Sequence, residues 1–283
     1  MHSTTVVGAL LALLAFAANS LLTRAALGDS VIGASTFTAI RLGSGALVLA
    51  LLAGRGRIVA STLRPRGLAG PLALFGYAWP FSFAYLRIGA ATGALVLFGS
   101  VQATMLAVAV RAGERPRPLA WLGFVVALGG LAWLVLPNAS RPDVVGTAAM
   151  AIAGVAWAAY TILGRNERDP VAANARSFVW ATPLAVAAIA IAPGANGVTA
   201  RGVTLAAISG AVTSGLGYAI WYRVLPQLGV ARAAFAQLAV PAIAAIGAVT
   251  MLGEPFPPPV AGATFVVLGG TALALAAKHG RVR

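Results

Sequence analysis

Long apolar runs separated by short polar joints recur along the whole chain. A hydrocarbon layer of about 30 Å asks for roughly 20 helical residues at about 1.5 Å each. Ten runs meet or approach that length: 5–26, 37–53, 68–86, 90–110, 119–136, 144–164, 175–193, 203–222, 233–252 and 260–277. They are continuous and show no ten-residue alternation of polar and apolar positions, so they predict helices rather than barrel strands. The fold expected is an all-α integral membrane protein with ten transmembrane helices.

Composition supports this reading. The 283 residues are 60% hydrophobic and 9% charged, where soluble domains carry about a quarter charged residues. The net charge of +14 raises nucleic acid as a partner, but the basic residues are dispersed between apolar runs and no aromatic-basic motif accompanies them. The positive-inside rule accounts for them better. With the N-terminus taken as cytoplasmic, fifteen Lys and Arg fall on the inner side and four (Arg24, Arg87, Arg141 and Arg201) on the outer. Both termini are therefore expected on the cytoplasmic side of a bacterial inner membrane. Ala15-Phe16-Ala17 resembles a leader-cleavage site, yet no basic residue precedes the first run, which is read as a retained span. There is no cysteine, and His2 and His279 lie near the ends. No metal, cofactor or catalytic residue is expected.

The chain reads as if written twice. Phe16-Ala-Ala-Asn-Ser-Leu-Leu-Thr-Arg24 aligns with Trp157-Ala-Ala-Tyr-Thr-Ile-Leu-Gly-Arg165, Gly113-Glu114 with Gly253-Glu254, Gly129-Gly130 with Gly269-Gly270, and Gly89 with Gly229, at offsets of 140 or 141 residues. Two five-helix units follow, 1–138 and 143–283. Five crossings are an odd number, so the second unit must run through the membrane in the opposite sense. Inverted repeats around a central cavity are a recurring design of secondary transporters.

At these residues the chain resembles the EamA-type branch of the drug/metabolite transporter superfamily. The resemblance rests on Leu238-Ala-Val-Pro241, Leu252-Gly-Glu-Pro255, Gly269-Gly270, Trp157-Ala-Ala-Tyr160 and Arg41. The first half departs from it, with Val101 where Pro241 stands in the second half and Ala112-Gly-Glu114 in place of Leu-Gly-Glu. The likeness is greatest to amino-acid exporters of the YddG type. It implies ten helices around a central cavity, and export of small metabolites by alternating access. The partners expected are a small-molecule substrate and the lipid bilayer, with a monomer compatible.

The residues themselves narrow the chemistry. Asp29, Asp143, Glu167 and Asp169 fall in joints, and Glu114 and Glu254 at span ends. Carboxylates inside a membrane are the usual proton or cation handles, so uncoupled or potential-driven movement is favoured. The polar groups within spans are amides, hydroxyls and aromatics, which suit an apolar side chain with a zwitterionic head. The substrate-binding candidates are Asn19, Tyr77, Phe81, Phe98, Ser100, Gln102, Trp157, Tyr160, Tyr218 and Gln237, with Pro80 and Pro241 as candidate hinges.

Plainer roles stand beside these. Tyr85, Trp121, Trp221 and Tyr222 fit interfacial anchors. The Gly-Glu pairs fit helix ends and their capping. Arg41, about one turn inside the second run, suits either a substrate carboxylate or a snorkelling contact with headgroups. Gly89-x-x-x-Gly93, Gly210-x-x-x-Ser214 and the paired Gly-Gly steps have the spacing for close helix approach. The alternatives to amino-acid export are a nucleotide-sugar or multidrug carrier, a lipid-acting membrane enzyme, or a non-transporting bundle.

Overall fold

The computed structural model describes residues 3–28, 31–62, 67–88, 90–136, 143–191, 197–252 and 257–277, and within them every regular element is helical. In chain order these are α1 (Ser3–Gly28), α2 (Ala34–Ala53), α3 (Arg55–Thr62), α4 (Ala69–Ala84), α5 (Ala90–Arg111), α6 (Pro118–Val135), α7 (Val144–Gly164) and α8 (Pro170–Ile191), then α9 (Ala200–Ile208), a π-helical segment (Ser209–Leu216), α10 (Gly217–Leu228), α11 (Val230–Gln237), α12 (Ala239–Leu252) and α13 (Pro258–Ala276). Eight stretches among the described residues are long and apolar enough to cross a bilayer, α9 to α10 forming one and α11 with α12 another. The third and fifth predicted runs become shorter helices, α4 of 16 residues and α6 of 18. The protein is a multi-pass helical membrane protein.

Local chemistry sets the helix ends. Proline opens α6 and α13 at their first turn, where its missing N–H costs nothing. The Asp143 carboxylate caps α7 by accepting the Gly146 N–H at 2.7 Å, and the Thr199 hydroxyl caps α9 by accepting the Gly202 N–H at 3.1 Å. Gly113 ends α5 with φ +83°, and the Glu114 N–H reaches back to the Ala109 carbonyl at 2.9 Å. The chain then enters α6 without a long loop.

The outward surface is apolar. Leu10, Leu11 and Leu14 on α1, Leu51 on α2, Val125 on α6 and Phe265 on α13 are all exposed, Leu51 at 77% and Phe265 at 78%. Side chains of this kind in contiguous patches belong against lipid. The interior is filled by small residues and aromatics. The most extensive helix pairings, α6 with α13, α2 with α8, α4 with α7 and α5 with α7, each join the first half of the chain to the second. The two halves therefore interleave.

Glycines allow the closest approaches. A Cβ on Gly270 would lie 2.5 Å from the Ala127 nitrogen, and one on Gly130 would lie 2.8 Å from the Val267 nitrogen. These contacts bring the fifth and tenth predicted runs together. Gly154 of α7 faces Ser100 and the Leu97 carbonyl of α5, and Gly210 of the π segment lies against the Arg41 carbonyl and the Ser44 hydroxyl of α2. Among the motif residues, Gly89 and the segment 253–256, which includes Glu254, lie outside the described residues.

Three expectations are corrected here. Helix α8 starts at Pro170 rather than 175, so Arg176, one of the fifteen inner-side residues counted above, lies well within a helix. It is buried, donating to the Ser61 carbonyl at 2.9 Å and pairing with Glu167 at 2.6 Å. Its charge is met within the protein, which permits burial. Trp221 and Tyr222 are buried at 0% and 2% exposure and are core residues, not interfacial anchors. Gly164 leaves the space that the Tyr222 ring fills, and the Tyr222 hydroxyl donates to the Tyr160 carbonyl at 2.8 Å. Arg41 does not snorkel. Helix α2 begins at Ala34, so Arg41 lies about two turns, or roughly 10 Å, along the helix, and its side chain is fully buried.

Candidate functional site

A cavity lies at the centre of the bundle, walled by α1, α4, α5, α7, α10, α11 and α12. Asn19, Tyr77, Phe81, Phe98, Trp157, Tyr218 and Gln237 of the predicted set line it, and Phe16, Ser20, Leu97, Val101 and Val240 complete the wall. The rings close over one another. Phe16 meets Trp157 at 5.3 Å and Tyr218 at 5.6 Å, both edge to face, and Trp157 lies 4.9 Å from both Tyr77 and Tyr218. Such edge contacts are favourable beyond the area they bury. About 40 Å³ is left for the centres of water-sized molecules, so the rings must part before an organic molecule enters.

Three pairs among the twelve lining residues stand at the offset read from the sequence. Phe16 and Trp157 stand 141 residues apart, as do Tyr77 and Tyr218, while Leu97 and Gln237 stand 140 apart. Half of the lining thus comes in pairs, one residue from each half of the chain. Phe16 and Leu97 were missed as site residues, and their repeat partners Trp157 and Gln237 were the signal that would have found them. Ser20 stands beside Asn19 as a polar residue within the first run, whereas nothing in the sequence marked Val240 out from its apolar neighbours.

The three remaining predicted residues lie behind the wall. The Tyr160 hydroxyl donates to Asn174 Oδ1 at 2.7 Å, and its ring packs 5.0 Å from Tyr222. The Gln102 amide donates to the Ala234 carbonyl at 2.8 Å, joining α5 to α11. Ser100 meets Gly154 where α5 crosses α7. Each makes its contact with another helix, so polarity inside the membrane serves packing here.

Gln237 ends α11, and Leu238 forms a turn before α12 begins. Pro241, in the first turn of α12, has no N–H to offer the Gln237 carbonyl four residues earlier. The Gln237 side chain ties this end of α11 to α7, with Oε1 accepting the Trp157 indole N–H at 2.5 Å, while its amide nitrogen donates back to the Ala233 carbonyl at 3.2 Å. Helix α4 instead runs on through Pro80 to Ala84. An interrupted helix at a cavity is how membrane proteins bring irregular backbone to a binding site.

Arg41 stands directly behind the aromatic wall. Its Nη2 donates to the Tyr218 hydroxyl at 2.6 Å, its Nε to Ser214 Oγ at 2.9 Å, and its guanidinium carbon lies 5.5 Å over the Tyr77 ring. The Ser209 hydroxyl on the same π segment donates to Asn19 Oδ1 at 2.7 Å. The π segment makes this cluster possible. Its wider turn carries Gly210 onto the α2 backbone, with Ser209 and Ser214 directed at Asn19 and Arg41. π turns of this kind gather at functional sites. Among the described residues no carboxylate lies within 4 Å of Arg41, and its Nη1 has no hydrogen-bond partner. An uncompensated buried charge costs several kcal/mol.

At one end of the bundle the joints are tied by charge. Both Glu114 carboxylate oxygens accept the first N–H groups of α11, from Val230 and Ala231 at 3.0 Å each, and Arg165 approaches at 3.4 Å. Arg57 pairs with Asp169 at 2.5 Å. Glu114 is thus a cap between helices, as expected of the Gly-Glu pairs. On the joint between α6 and α7, Asp143 pairs with Arg87 at 2.8 Å.

A bundle of apolar helices around an aromatic-lined cavity, with an interrupted helix at its wall, has the form of a membrane protein that handles a small molecule. Comparison with known proteins fixes the class. Residues 144–276 match the EamA-like transporter family. Over 271 residues the chain is 48% identical to the uncharacterized protein PA1977 of Pseudomonas aeruginosa, covering 96% of this chain and 94% of that one. A crystal structure of a protein 19% identical in sequence superposes with a TM-score of 0.82 over 98% of this chain and 99% of the other, a likeness of fold. The chain belongs to the EamA-like transporter family, and it is a multi-pass membrane transporter of the drug/metabolite transporter type.

Proposed function

We propose that this protein exports small organic metabolites, amino acids with aromatic or apolar side chains foremost, from a bacterial cytoplasm. It works by alternating access between two inverted five-helix units, 1–138 and 143–283, which cross the inner membrane ten times with both termini inside. The observation that carries this reading is the cavity lined in part by pairs at the repeat offset, Phe16 with Trp157 and Tyr77 with Tyr218. Two halves of one design can exchange conformations, and the exchange opens the opposite side of the membrane. Counting α4 and α6 as the third and fifth spans requires only that the bilayer thin locally around short helices, a modest cost. The aromatic lining suits a flat or branched apolar body, and the Gln237 and Asn19 amides suit its polar head. The residues that bind substrate in this reading are those lining the cavity, with the break at Leu238 and Pro241 as the moving joint. A nucleotide sugar, with two phosphates, fits less well against one arginine.

The test is efflux from proteoliposomes loaded with a panel of labelled amino acids, with and without a pH gradient. Efflux of phenylalanine, tryptophan, leucine or methionine is the expected result. Retention of the whole panel would remove amino acids as cargo, and strict dependence on the gradient would remove the uncoupled mechanism. Gln237→Ala should slow efflux severalfold without loss of folded protein.

A further inference from the structure

The charge of the site is lopsided. A guanidinium cannot lose its proton in a protein, so Arg41 holds a full positive charge at the back of the cavity wall. Two of its nitrogens are engaged by neutral hydroxyls, Nη1 is unpaired, and the whole side chain is buried. The Tyr218 hydroxyl accepts from Arg41, which leaves its own proton to be donated, and Tyr218 also lines the cavity. The π segment supplies Ser214 to Arg41 and Ser209 to Asn19, another lining residue. No acidic side chain lines the cavity, so nothing there balances an ammonium by charge. The Tyr77 ring face, which could cradle a cation, is already taken by Arg41.

Building on the transport reading above, we infer that Arg41 and Tyr218 recognise a carboxylate on the cargo, and that an ammonium group on it is dispensable. The substrate class is then an apolar or aromatic body bearing one carboxylate, with amino acids and their amine-free counterparts both included. The aromatic wall holds the body. The carboxylate accepts the Tyr218 hydroxyl proton and, once Tyr77 and Tyr218 have moved aside, the free Nη1 donors of Arg41. Paired ion to ion, the guanidinium gains the partner that burial otherwise denies it. This assignment also supplies a driving force. An amine-free acid leaves as a net anion, and a membrane potential negative inside pushes it outward. At about 100 mV, one charge corresponds to an accumulation ratio of roughly fifty-fold. A zwitterion gains nothing from the same potential.

Three probes share one body and differ in the head: phenylalanine with both charges, 3-phenyllactate with the ammonium replaced by hydroxyl, and phenethylamine with the carboxylate removed. Thermal shift of the purified full-length protein should give saturable protection by phenylalanine and phenyllactate and none by phenethylamine. Arg41→Gln should weaken both acids at least tenfold, and Arg41→Lys less. Tyr218→Phe, which keeps the guanidinium, should weaken them severalfold and covers the case in which Arg41→Gln fails to fold. In proteoliposomes, a potential negative inside should speed phenyllactate efflux and leave phenylalanine efflux unchanged. Protection by phenethylamine equal to that by the acids, unchanged acid affinity in folded Arg41→Gln, or protection by chloride alone would overturn the carboxylate assignment while leaving transport standing. If wild-type protein neither binds nor moves any of the three, the aromatic-metabolite reading falls and takes this inference with it.

Discussion

Individual side chains here are held by few but costly bonds. Trp157 is both a wall of the cavity and the donor to Gln237. Trp157→Phe strands the buried amide oxygen, and an unpaired buried polar group costs about 1–3 kcal/mol. The expected result is a lower melting temperature in detergent, with recovery of most of the loss in the Trp157→Phe, Gln237→Leu double variant, since removing both partners leaves nothing unpaired. A double variant no more stable than Trp157→Phe would show that the bond is not what the tryptophan contributes. Asp143 makes a prediction about pH. Its carboxyl is held below the ordinary 3.8 by hydrogen bonds from Arg87 and from the Gly146 N–H, and the same pair raises Arg87. A depressed folded pKa means stability that is present above the unfolded value and lost as pH falls through the folded one. The stability difference between wild type and Asp143→Asn should be constant from pH 8 to pH 5 and fade below about 3.8. A difference that changed around neutrality would point to another group.

The closest backbone approaches between helices fall at glycines. Gly210 touches the α2 backbone at Arg41 with no room for a Cβ, while Gly129 in α6 has nothing within 4 Å of that position. Gly210→Val must push the π segment off α2 and scatter the Arg41 cluster. It should abolish the monodisperse peak in size-exclusion chromatography. Gly129→Ala should be neutral or stabilising by up to about 1 kcal/mol, because the backbone freedom of glycine is lost on folding. Equal behaviour of the two variants would mean that the α2 contact does not organise the fold. The π segment is the element least visible beforehand. Its residues, Ser209 to Leu216, have the same apolar and small-residue character as an ordinary span, and only the partner helix reveals why the turn widens.

For the molecule as a whole, the proposed orientation makes a labelling prediction. The absence of cysteine makes single introduced thiols clean reporters. Arg115→Cys, next to the Glu114 cap, should react with an impermeant maleimide only from the cytoplasmic side, and Arg201→Cys, at the start of α9, only from outside. Labelling of both from one side would remove the inverted arrangement, and with it the exchange of conformations on which alternating access rests. In the cycle proposed above, opening must break or swing either the aromatic contacts around the cavity or the Glu114 tie to α11.

Apolar run length, charge distribution and the 140-residue period were sufficient to read a helical membrane protein and most span boundaries, α7 to the residue. This is because a bilayer forces each segment to satisfy its own backbone, so the constraint is written locally. The same period picked out Trp157, and aromatic character within a span picked out Tyr218; both line the cavity. Tertiary packing decided which polar residues face it. Gln102 and Gln237 are both amides in apolar runs, yet one ties α5 to α11 and the other meets the cavity, since an amide is satisfied equally by a neighbouring helix or a site. The burial of Arg41 was likewise beyond the sequence. Its fate depended on Gly210, Ser214 and Tyr218, more than 160 residues further along the chain, closing around it in space.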